Sequence, residues 1–426
     1  MTRRSVYRSI IVGAGPAGLF CAIHASAERG SILLLEKNPD PGRKLLIAGS
    51  GQCNITHDGQ VRDFLTHYGR HGRFLSPALL NFPNSSLTRF LEEHGLETIT
   101  NGGGKIFPAS RKSSDVLQVL VKECRARGVR LLFNEQVTGI TREESLFRVG
   151  SRSGKFYSDT VVIATGGITY PETGSTGDGY LFAKSSGHTV TGIAPALTPV
   201  IVEKFPFDDL AGISFRNAGI SIWRTGGKVS SCKGDLLFTH RGLSGPGILD
   251  CSRIIIPGDQ LNISFITGLS RDQLASDLNR KLTEHPVSGI GTIISSFGLP
   301  DRFVATLLRV IGIAPGTSCS HISRLQRKKI IDSLTAFPFL VHSLGGPDEA
   351  MVTRGGIHLP EINPKTMESR LVSGMFFAGE VLDIDGDTGG YNLQAAFSTG
   401  YLAGITIRER IISPLPTRQF SLSKNG

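Results

Sequence analysis

Three glycines near the N-terminus have the spacing that binds the phosphates of a dinucleotide. Gly13, Gly15 and Gly18 form a G-x-G-x-x-G motif, with Pro16 and Ala17 filling the last gap. In such a motif the first glycine permits a tight turn and the second lets backbone N–H groups approach a pyrophosphate. The third lets a helix pack closely against a strand. Because glycine-rich turns are common, the motif predicts a nucleotide site only if the elements around it fit.

Those elements do fit. An apolar, β-branched run at 9–12 predicts a buried strand, and 19–30 has helical spacing of apolar residues with a glycine at its end. A second apolar run at 31–37 predicts another strand, with Glu36 near its end. A carboxylate at roughly twenty residues beyond the glycines binds ribose hydroxyls and disfavours a 2′-phosphate. The unit therefore predicts bound FAD or NAD rather than NADP, with the helix N-terminus facing the phosphates.

Two distant segments distinguish FAD from NAD. An apolar strand in the middle of the chain ends in Thr165 and Gly166. Near the C-terminus a second strand precedes Gly379 and Glu380, an acidic glycine-rich loop, and a helix that begins at about Asn392. We expect the first segment to close over the adenine side, and the second to bring an acidic residue to the ribitol and a helix N-terminus to the flavin. A dehydrogenase that binds only NAD would not need the second segment.

Further residues of these loops are expected to contact FAD. We expect the pair Arg43 and Lys44 to neutralise the pyrophosphate, because both are cationic and follow the second strand. The chain has one good dinucleotide fingerprint and no paired redox cysteines, which excludes the disulfide-reductase class of flavoproteins. NAD(P)H would therefore visit the flavin transiently. The complete set of additional contacts predicted is Lys37, Arg43, Lys44, Gly51, Asn54, Val137, Asp385, Gly390, Asn392 and Gln394.

Composition excludes several other classes. A chain of 426 residues with 39% hydrophobic residues predicts two or three globular domains. Its six cysteines lack the spacing of zinc or iron–sulfur ligands, so no metal is expected, and a disulfide framework is not expected either. No signal peptide or membrane helix is expected, which predicts a cytoplasmic protein without membrane contact. The formal charge of +10 fits a basic surface that attracts anionic cofactors, or a face that contacts nucleic acid.

Five segments resemble one known family. Read in order along nearly the whole chain, they resemble the BaiN/RdsA (YhiN-like) family of NAD(P)/FAD-dependent flavoproteins: 42–56, 164–180, 238–249, 353–370 and 379–394. The sequence departs from the family's usual loop pattern at Ser50, Gln52 and His57, where glycine, arginine and asparagine are usual. These departures lie where the loop would approach the flavin ring, so they bear on the substrate rather than on the cofactor.

The resemblance implies an α/β fold. It implies a Rossmann-type FAD-binding domain of the two-dinucleotide flavoprotein type, made from both ends of the chain, with an inserted β-barrel-like domain that contains a small helical insertion. The changes in sequence pattern place the FAD-binding domain at 1–192 and 353–413, the β-rich domain at 193–269 and 338–352, the helical insertion at 270–337, and a flexible tail at 414–426.

The resemblance also implies an activity. Family members are NAD(P)H-dependent flavin reductases of C=C bonds, and one branch makes dihydrouridine in large-subunit ribosomal RNA. A branch that oxidises aminoacetone keeps an FAD-dependent amine oxidase as an alternative, and a flavin-binding protein with little catalysis is a third reading. The basic run at 324–329 would serve an RNA-binding member, or would be an ordinary solvated helix face.

Two residues are candidates for catalysis. Adding a hydride to one carbon of a double bond requires a proton at the other, so a proton donor is needed beside the flavin. Cys53, in the glycine-flanked loop after Lys44, is the first candidate, and its alternative role is that of a small residue packed near the ring. His240 is the second candidate, as general acid or substrate anchor, although a lone histidine is more often a structural hydrogen-bonding group.

Overall fold

The computed structural model describes residues 6–412, and the predicted flexible tail at 414–426 lies outside them. Within these residues the chain forms strands of two to twelve residues. They are β1 (Val6–Val12), β2 (Ile32–Leu35), β3 (Thr56–His57), β4 (Thr98–Thr100), β5 (Lys105–Pro108), β6 (Arg130–Leu132), β7 (Val137–Glu143), β8 (Leu146–Ser151), β9 (Lys155–Ile163), β10 (Ala194–Ala196), β11 (Val200–Val202), β12 (Ser214–Arg224), β13 (Gly227–Phe238), β14 (Gly242–Ser244), β15 (Gln260–Ser264), β16 (Phe337–Leu344), β17 (Val352–Arg354) and β18 (Met375–Phe377).

The α-helices of the described residues lie between these strands, singly or in groups. They are α1 (Pro16–Ala25), α2 (Arg43–Ile47), α3 (Val61–Phe64), α4 (Gly72–Asn81), α5 (Asn84–Glu93), α6 (Ser113–Ala126), α7 (Asp178–Ser185), α8 (Pro246–Cys251), α9 (Arg271–Glu284), α10 (Ile290–Ser295), α11 (Asp301–Val310), α12 (Arg324–Thr335) and α13 (Tyr391–Ile412). None of these helices combines the length and the apolar character needed to cross a membrane.

The described chain divides into two compact units. One contains the residues up to Ala194 together with those from Val352 onward, and the other is Pro195–Met351. The sequence pattern predicts domain boundaries at 192/193 and 352/353. These boundaries stay predictions.

The first unit is built on a seven-stranded sheet. Its strands follow the order β6-β2-β1-β9-β8-β7, and β18 also pairs with β9. The strands β6, β2, β1, β9 and β18 are parallel to their neighbours in this series, whereas β7 and β8 form antiparallel pairs. Every residue of β2 is buried, as expected for a parallel strand that is covered on both faces.

Two glycines let the C-terminal helix pack against the first helix. A Cβ at Gly400 of α13 would lie 2.4 Å from the carbonyl oxygen of Ala17 in α1. A Cβ at Gly404 would lie 2.7 Å from the carbonyl oxygen of Cys21. Real Cβ contacts are not this short, so these two positions require glycine for the helix backbones to approach. The two ends of the chain therefore share one core.

The second unit is a closed barrel with helices. Its antiparallel strands follow the order β11-β14-β13-β12-β15-β16, and β11 pairs with β16 to close the barrel. Helices α9 to α12 lie between β15 and β16 in sequence, and α9 and α12 each begin with a capping box, at Ser270 and at Ser323. The predicted fold class, a Rossmann-type domain with a barrel and a helical insertion, is confirmed.

Phenylalanines dominate the core of the second unit. Phe207 stacks on Phe238 with ring centroids 5.1 Å apart, and Phe303 of α11 lies 4.6 Å from Phe265. Cys232 and Cys251 are joined in a disulfide in this unit. The sequence predicts no disulfide framework, and this single pair departs from that expectation because strand β13 and helix α8 bring two distant cysteines together.

Candidate flavin-binding site

Five strands of the first unit end at the same edge of the sheet. Val12 pairs with Leu35 and with Ile163, Ile163 pairs with Phe377, and Leu35 pairs with Leu132, so the last residues of five parallel strands are in register. Ligands of such sheets bind outside the carboxyl ends of the strands. The loops that leave this edge begin with Gly13, Glu36, Ala164 and Ala378. Three segments far apart in sequence, from the start, middle and end of the chain, are therefore brought together.

The three glycines of the first loop have different surroundings. Gly13 has a φ of 105°, and a Cβ there would lie 2.5 Å from the carbonyl oxygen of Ala164. A Cβ at Gly18 would lie 1.9 Å from the carbonyl oxygen of Gly13. A Cβ at Gly15, in contrast, would meet no protein atom within 4 Å. Gly13 and Gly18 are thus needed by the fold, whereas Gly15 leaves its backbone open to a ligand.

Helix α1 begins at this open position. Gly15 is its N-cap residue and makes no side-chain capping bond, and Pro16 occupies the first turn. The first N–H groups of a helix lack carbonyl partners within the helix and carry a partial positive charge. The loop therefore offers an anion site of the kind that holds a pyrophosphate, next to Ala17.

Glu36 is held at the end of β2. Its side chain is buried, and its Oε2 accepts a hydrogen bond of 2.8 Å from the N–H of Ala14. Its Oε1 accepts bonds from the N–H of Asn38, at 2.9 Å, and from the Asn38 side chain. These bonds fix the carboxylate beside the glycine loop. Oε1 accepts two bonds, whereas Oε2 accepts one and keeps a lone pair for a ribose hydroxyl.

A small cleft lies at this edge. Lys37 lies in its wall, where its Nζ is 2.8 Å from Asp178 Oδ2, so this ammonium is already paired. The wall combines residues of the first loop, of the end of β2 and of the segment around Thr165: Val12, Gly13, Leu35, Glu36, Lys37, Glu135, Val137, Thr165, Gly174, Asp178 and Phe182. Apolar walls with a few polar groups suit an adenosine moiety.

Two buried polar atoms near the predicted site have no partner in the described part of the chain. They are Oγ1 of Thr165 and Oδ1 of Asn54. Buried polar side-chain atoms are normally hydrogen-bonded, so an orphaned atom indicates a group that would complete it. The open backbone at Gly15 and these two atoms fit the hydroxyl, phosphate and ring polar groups of FAD. The residues present therefore suit the cofactor.

A polar network links the first loop region to the last. Nζ of Lys44 in α2 lies 2.7 Å from Oε2 and 2.8 Å from Oε1 of Glu380, and donates to Thr169 Oγ1 at 2.7 Å. Glu380 Oε1 also accepts the N–H of Thr353 at 2.8 Å. The expected contact of Lys44 with the pyrophosphate stays a prediction, and the structure gives this lysine a partner that the sequence did not indicate. Arg43 is exposed and donates to Asn38 Oδ1 at 3.2 Å.

The loop around Cys53 is tightly folded. Gly51 has a φ of 84° and Cys53 one of 58°, and the N–H of Cys53 donates to the carbonyl of Ala48 at 3.0 Å. The Cys53 side chain is fully buried, and this burial raises the pKa of its thiol to about 12. The thiol therefore keeps its proton throughout the neutral range.

The C-terminal loop is held by its own side chains. Oδ1 of Asn392 accepts the N–H of Gly386 at 2.7 Å, which closes the acidic loop that contains Asp385. The amide of Gln394 is buried and bonds Thr56, Ser398 and the carbonyl of Phe82. Gly390 packs against the backbone of Thr56. The FAD contacts expected of Asn392 and Gln394 stay predictions, but their side chains already serve the fold.

Sequence reasoning missed a cluster of aromatic and charged side chains beside this loop. Tyr391 is stacked between His57 and His67, with ring centroids 5.3 and 3.9 Å apart. Nδ1 of His67 lies 2.8 Å from Oδ2 of Asp387. Because 320 positions separate these two residues, no local pattern could have indicated the pair.

His240 lies in the second unit. It is exposed, in the turn between β13 and β14. The catalytic roles of His240 and Cys53 stay predictions.

Together these features define a class of protein. A glycine loop at a helix N-terminus, an acidic residue after the second strand and a distant strand–loop–helix at the same sheet edge define a flavoprotein oxidoreductase of the Rossmann type. The chain belongs to the family described as HI0933-like protein Rossmann domain, whose profile matches residues 7–406. The predicted family resemblance is thereby confirmed.

Curated relatives match almost the full chain. The chain is 31% identical over 407 residues to the ribosomal RNA dihydrouridine synthase of Haemophilus influenzae, covering 94% of this chain and 98% of the relative. It is 29% identical over 395 residues to the enzyme of the same name from Escherichia coli, covering 93% and 96%. It is also 29% identical over 408 residues to the 3-dehydro-bile acid delta(4,6)-reductase of Clostridium scindens, covering 94% and 98%.

Solved flavoprotein structures share the fold. A flavocytochrome c3 fumarate reductase superimposes with a TM-score of 0.51 at 16% identity, covering 96% of this chain and 80% of the other. The FrdA subunit of the E. coli quinol fumarate reductase gives 0.52 at 16% identity, covering 98% and 72%. At these identities the likeness concerns the fold.

Proposed function

We propose that this protein is an FAD-dependent reductase of C=C bonds that takes electrons from NAD(P)H and acts on uracil rings of ribosomal RNA. The observation that carries the proposal is the glycine loop, in which Gly15 alone faces open space while its two partner glycines are packed. The chain that carries this site is similar over nearly its full length to two dihydrouridine synthases and to a delta(4,6)-reductase. Each of these names denotes an enzyme that reduces a ring double bond.

The chain's own residues would hold FAD as follows. The N–H groups at Gly15 and the start of α1 would bind the pyrophosphate, and Glu36 would bind the adenosine ribose. Thr165 Oγ1 and Asn54 Oδ1 would gain the hydrogen-bond partners that they lack in the described part of the chain. When bound, FAD would supply the hydride-transfer chemistry between a nicotinamide donor and the substrate.

Completing the reduction needs a proton. Cys53 is the first candidate donor because of its place in the glycine-flanked loop after Lys44. Burial raises the pKa of its thiol to about 12, so the thiol is protonated at neutral pH but is a weak acid there. His240 is the second candidate, and its exposure suits an anchor for the substrate more than a donor in a dry site.

Ribosomal RNA suits the charge of the protein. The formal charge is +10, and helix α12 exposes Arg324, Lys328 and Lys329. Among the described residues no carboxylate is paired with these three cations. Basic side chains that neutralise phosphates supply most of the sequence-independent affinity for nucleic acid. A substrate of this kind, and NAD(P)H as donor, would place the reaction in the cytoplasm.

Anaerobic reduction of the purified yellow protein tests the activity. We expect NADH or NADPH to bleach the flavin absorbance, and ribosomal RNA that lacks dihydrouridine to restore it with formation of dihydrouridine. An amine such as aminoacetone should not bleach the flavin absorbance. Bleaching by the amine with peroxide release in air would favour an oxidase, and bound FAD that neither donor reduces would favour a flavin-binding protein without catalysis.

A further inference from the structure

A basic segment is fastened to the C-terminal loop of the candidate site. Residues Leu65–His71 form a 3₁₀ helix with a kink at Tyr68 and Gly69, and they lead into α4. The hydroxyl of buried Tyr68 donates to the carbonyl oxygen of Tyr391 at 2.8 Å. The N–H of Asp387 donates to the carbonyl oxygen of His67 at 2.9 Å, and the same two residues pair through their side chains.

These bonds fix where the segment lies. Asp387 and Tyr391 belong to the stretch between β18, which ends at the carboxyl edge of the sheet, and the start of α13. Their partners His67 and Tyr68 are consecutive in the segment. Because one residue pair is joined through both its backbones and its side chains, and the next residue adds a third bond, the segment is held at the rim of the candidate flavin site.

Three arginines project from this segment and its neighbours. Arg62 lies in α3, Arg70 in the 3₁₀ helix and Arg73 in the first turn of α4, and all three are exposed. We name these three residues the arginine rim. Among the described residues no carboxylate is paired with any of them, and Nε of Arg70 donates to the ring nitrogen Nε2 of His71 at 2.8 Å.

Arg62, Arg70 and Arg73 lie in consecutive elements and are exposed, and three such positive charges favour a polyanionic partner. A guanidinium binds phosphate through two parallel hydrogen bonds, and a phosphodiester backbone offers several such groups in succession. The α12 cations lie in the second unit, whereas the arginine rim is built into the unit that carries the candidate site. The rim is therefore placed to hold the backbone close to a reacting base.

We propose that Arg62, Arg70 and Arg73 form a binding site for the phosphodiester backbone of an RNA substrate at the entrance to the flavin site. This inference rests on the proposed function, since it supplies the substrate class that the candidate site would take. The arginine rim would bind the phosphates that flank the target nucleotide. It would not recognise the base.

The test compares two triple variants that lose equal charge. In the rim variant Arg62→Gln, Arg70→Gln and Arg73→Gln are combined. In the control variant Arg29→Gln, Lys122→Gln and Arg125→Gln are combined, three exposed cations around α1 and α6 of the same unit. Affinity of each FAD-loaded protein for a large-subunit ribosomal RNA transcript is measured over a series of KCl concentrations. Bleaching by NAD(P)H and thermal unfolding are recorded for both variants.

We expect the rim variant to bind the transcript at least about tenfold more weakly and to reduce the slope of log K against log [salt] by about 2, the value for three single-strand phosphates. The control should change affinity less than about twofold, and both variants should bleach and unfold like the parent. Equal losses in both variants, an unchanged rim variant, or a parent that does not bind the transcript would each overturn the inference. Binding as expected with unchanged dihydrouridine in a deletion strain would instead refute the proposed function and leave a polyanion site.

Discussion

Lys44 and Glu380 are bound to each other across 336 positions of the chain, with Nζ of the lysine 2.7 Å from Oε2 of the glutamate. Their side chains are 24% and 22% exposed, so the pair is mostly shielded from water. Both follow strands of the central sheet, one from the first third of the chain and one from its end. The pair therefore joins the two segments whose meeting creates the candidate flavin site.

Breaking this pair should destabilise the protein. We expect Lys44→Met to lower the free energy of unfolding by about 2 kcal/mol, because it leaves a mostly buried carboxylate with fewer partners. Urea unfolding of the FAD-free protein measures this. Arg8→Met, which breaks the exposed pair of Arg8 with Asp159, is the matched control and should cost less than about 1 kcal/mol. Equal costs for the two variants would show that the Lys44 pair is an ordinary surface contact.

Substitutions at two glycines of the loop should affect folding and cofactor binding differently. Gly15→Ala should leave the stability of the FAD-free protein within about 0.5 kcal/mol, because the new methyl group meets no protein atom within 4 Å and φ is −77°. It should weaken FAD binding at least about tenfold, since the methyl group occupies the expected place of the pyrophosphate. Gly18→Ala, with a Cβ 1.9 Å from a carbonyl oxygen, should instead destabilise the fold.

Fluorescence titration with FAD and thermal unfolding give the two readouts. If Gly15→Ala bound FAD as tightly as the parent protein, the pyrophosphate would have to lie elsewhere.

Local sequence patterns predicted the glycine loop and the unit around it well. Gly13, Gly15, Gly18 and Glu36 lie on one contiguous strand–helix–strand unit, so their roles follow from neighbours in sequence. The barrel and its helical insertion also followed, through the family resemblance. The residues that determine the strand–helix–strand unit are close together in the chain, and the family motifs occur here in the same order as in the family.

Long-range partners could not be predicted. The pairs Lys44–Glu380 and His67–Asp387 depend on the order of strands in the sheet and on how loops pack at its edge, which no spacing reveals. Gln394 is a related case. Its side chain donates to the buried carbonyl oxygen of Phe82, 312 positions away, a contact that no local pattern indicates.

Acid should destabilise the protein through His24. Burial, aided by Arg127 and Arg408, lowers the pKa of His24 from 6.5 to about 3, and its Nε2 has no hydrogen-bond partner among the described residues. Below pH 6.5 the unfolded chain takes up a proton that the folded protein refuses. The free energy of unfolding should therefore fall with pH from about 6.5 towards 4, by up to about 1.4 kcal/mol per unit for this group.

Replacing His24 with phenylalanine should remove this contribution. The ring already packs 4.6 Å from Phe20 and from Tyr401, so an aromatic substitute keeps the packing. Urea unfolding at several pH values measures the slope, and His285→Phe, at an exposed position, serves as the control. A slope in His24→Phe equal to that of the parent would assign the acid sensitivity to other groups.

Cys53 should act after the flavin has been reduced. We expect Cys53→Ala to leave the rate of bleaching by NAD(P)H unchanged and to slow reoxidation by the C=C substrate at least about tenfold, because only the second step needs a proton donor. With φ at 58°, alanine is strained there about as much as cysteine, so the comparison is fair. Stopped-flow absorbance follows both steps.

Cys124→Ala, another buried thiol in the first unit, is the control and should change neither rate. If the flavin of Cys53→Ala were reoxidised as fast as that of the parent, Cys53 would have only a packing role.

Mass spectrometry of nucleosides from large-subunit ribosomal RNA of a deletion strain is the decisive test of whether this flavoprotein reduces uridine in that RNA. We expect dihydrouridine to disappear from the RNA, to return with the parent gene, and to return to a lower level with Gly15→Ala. Dihydrouridine at the parental level in the deletion strain would contradict the proposed function.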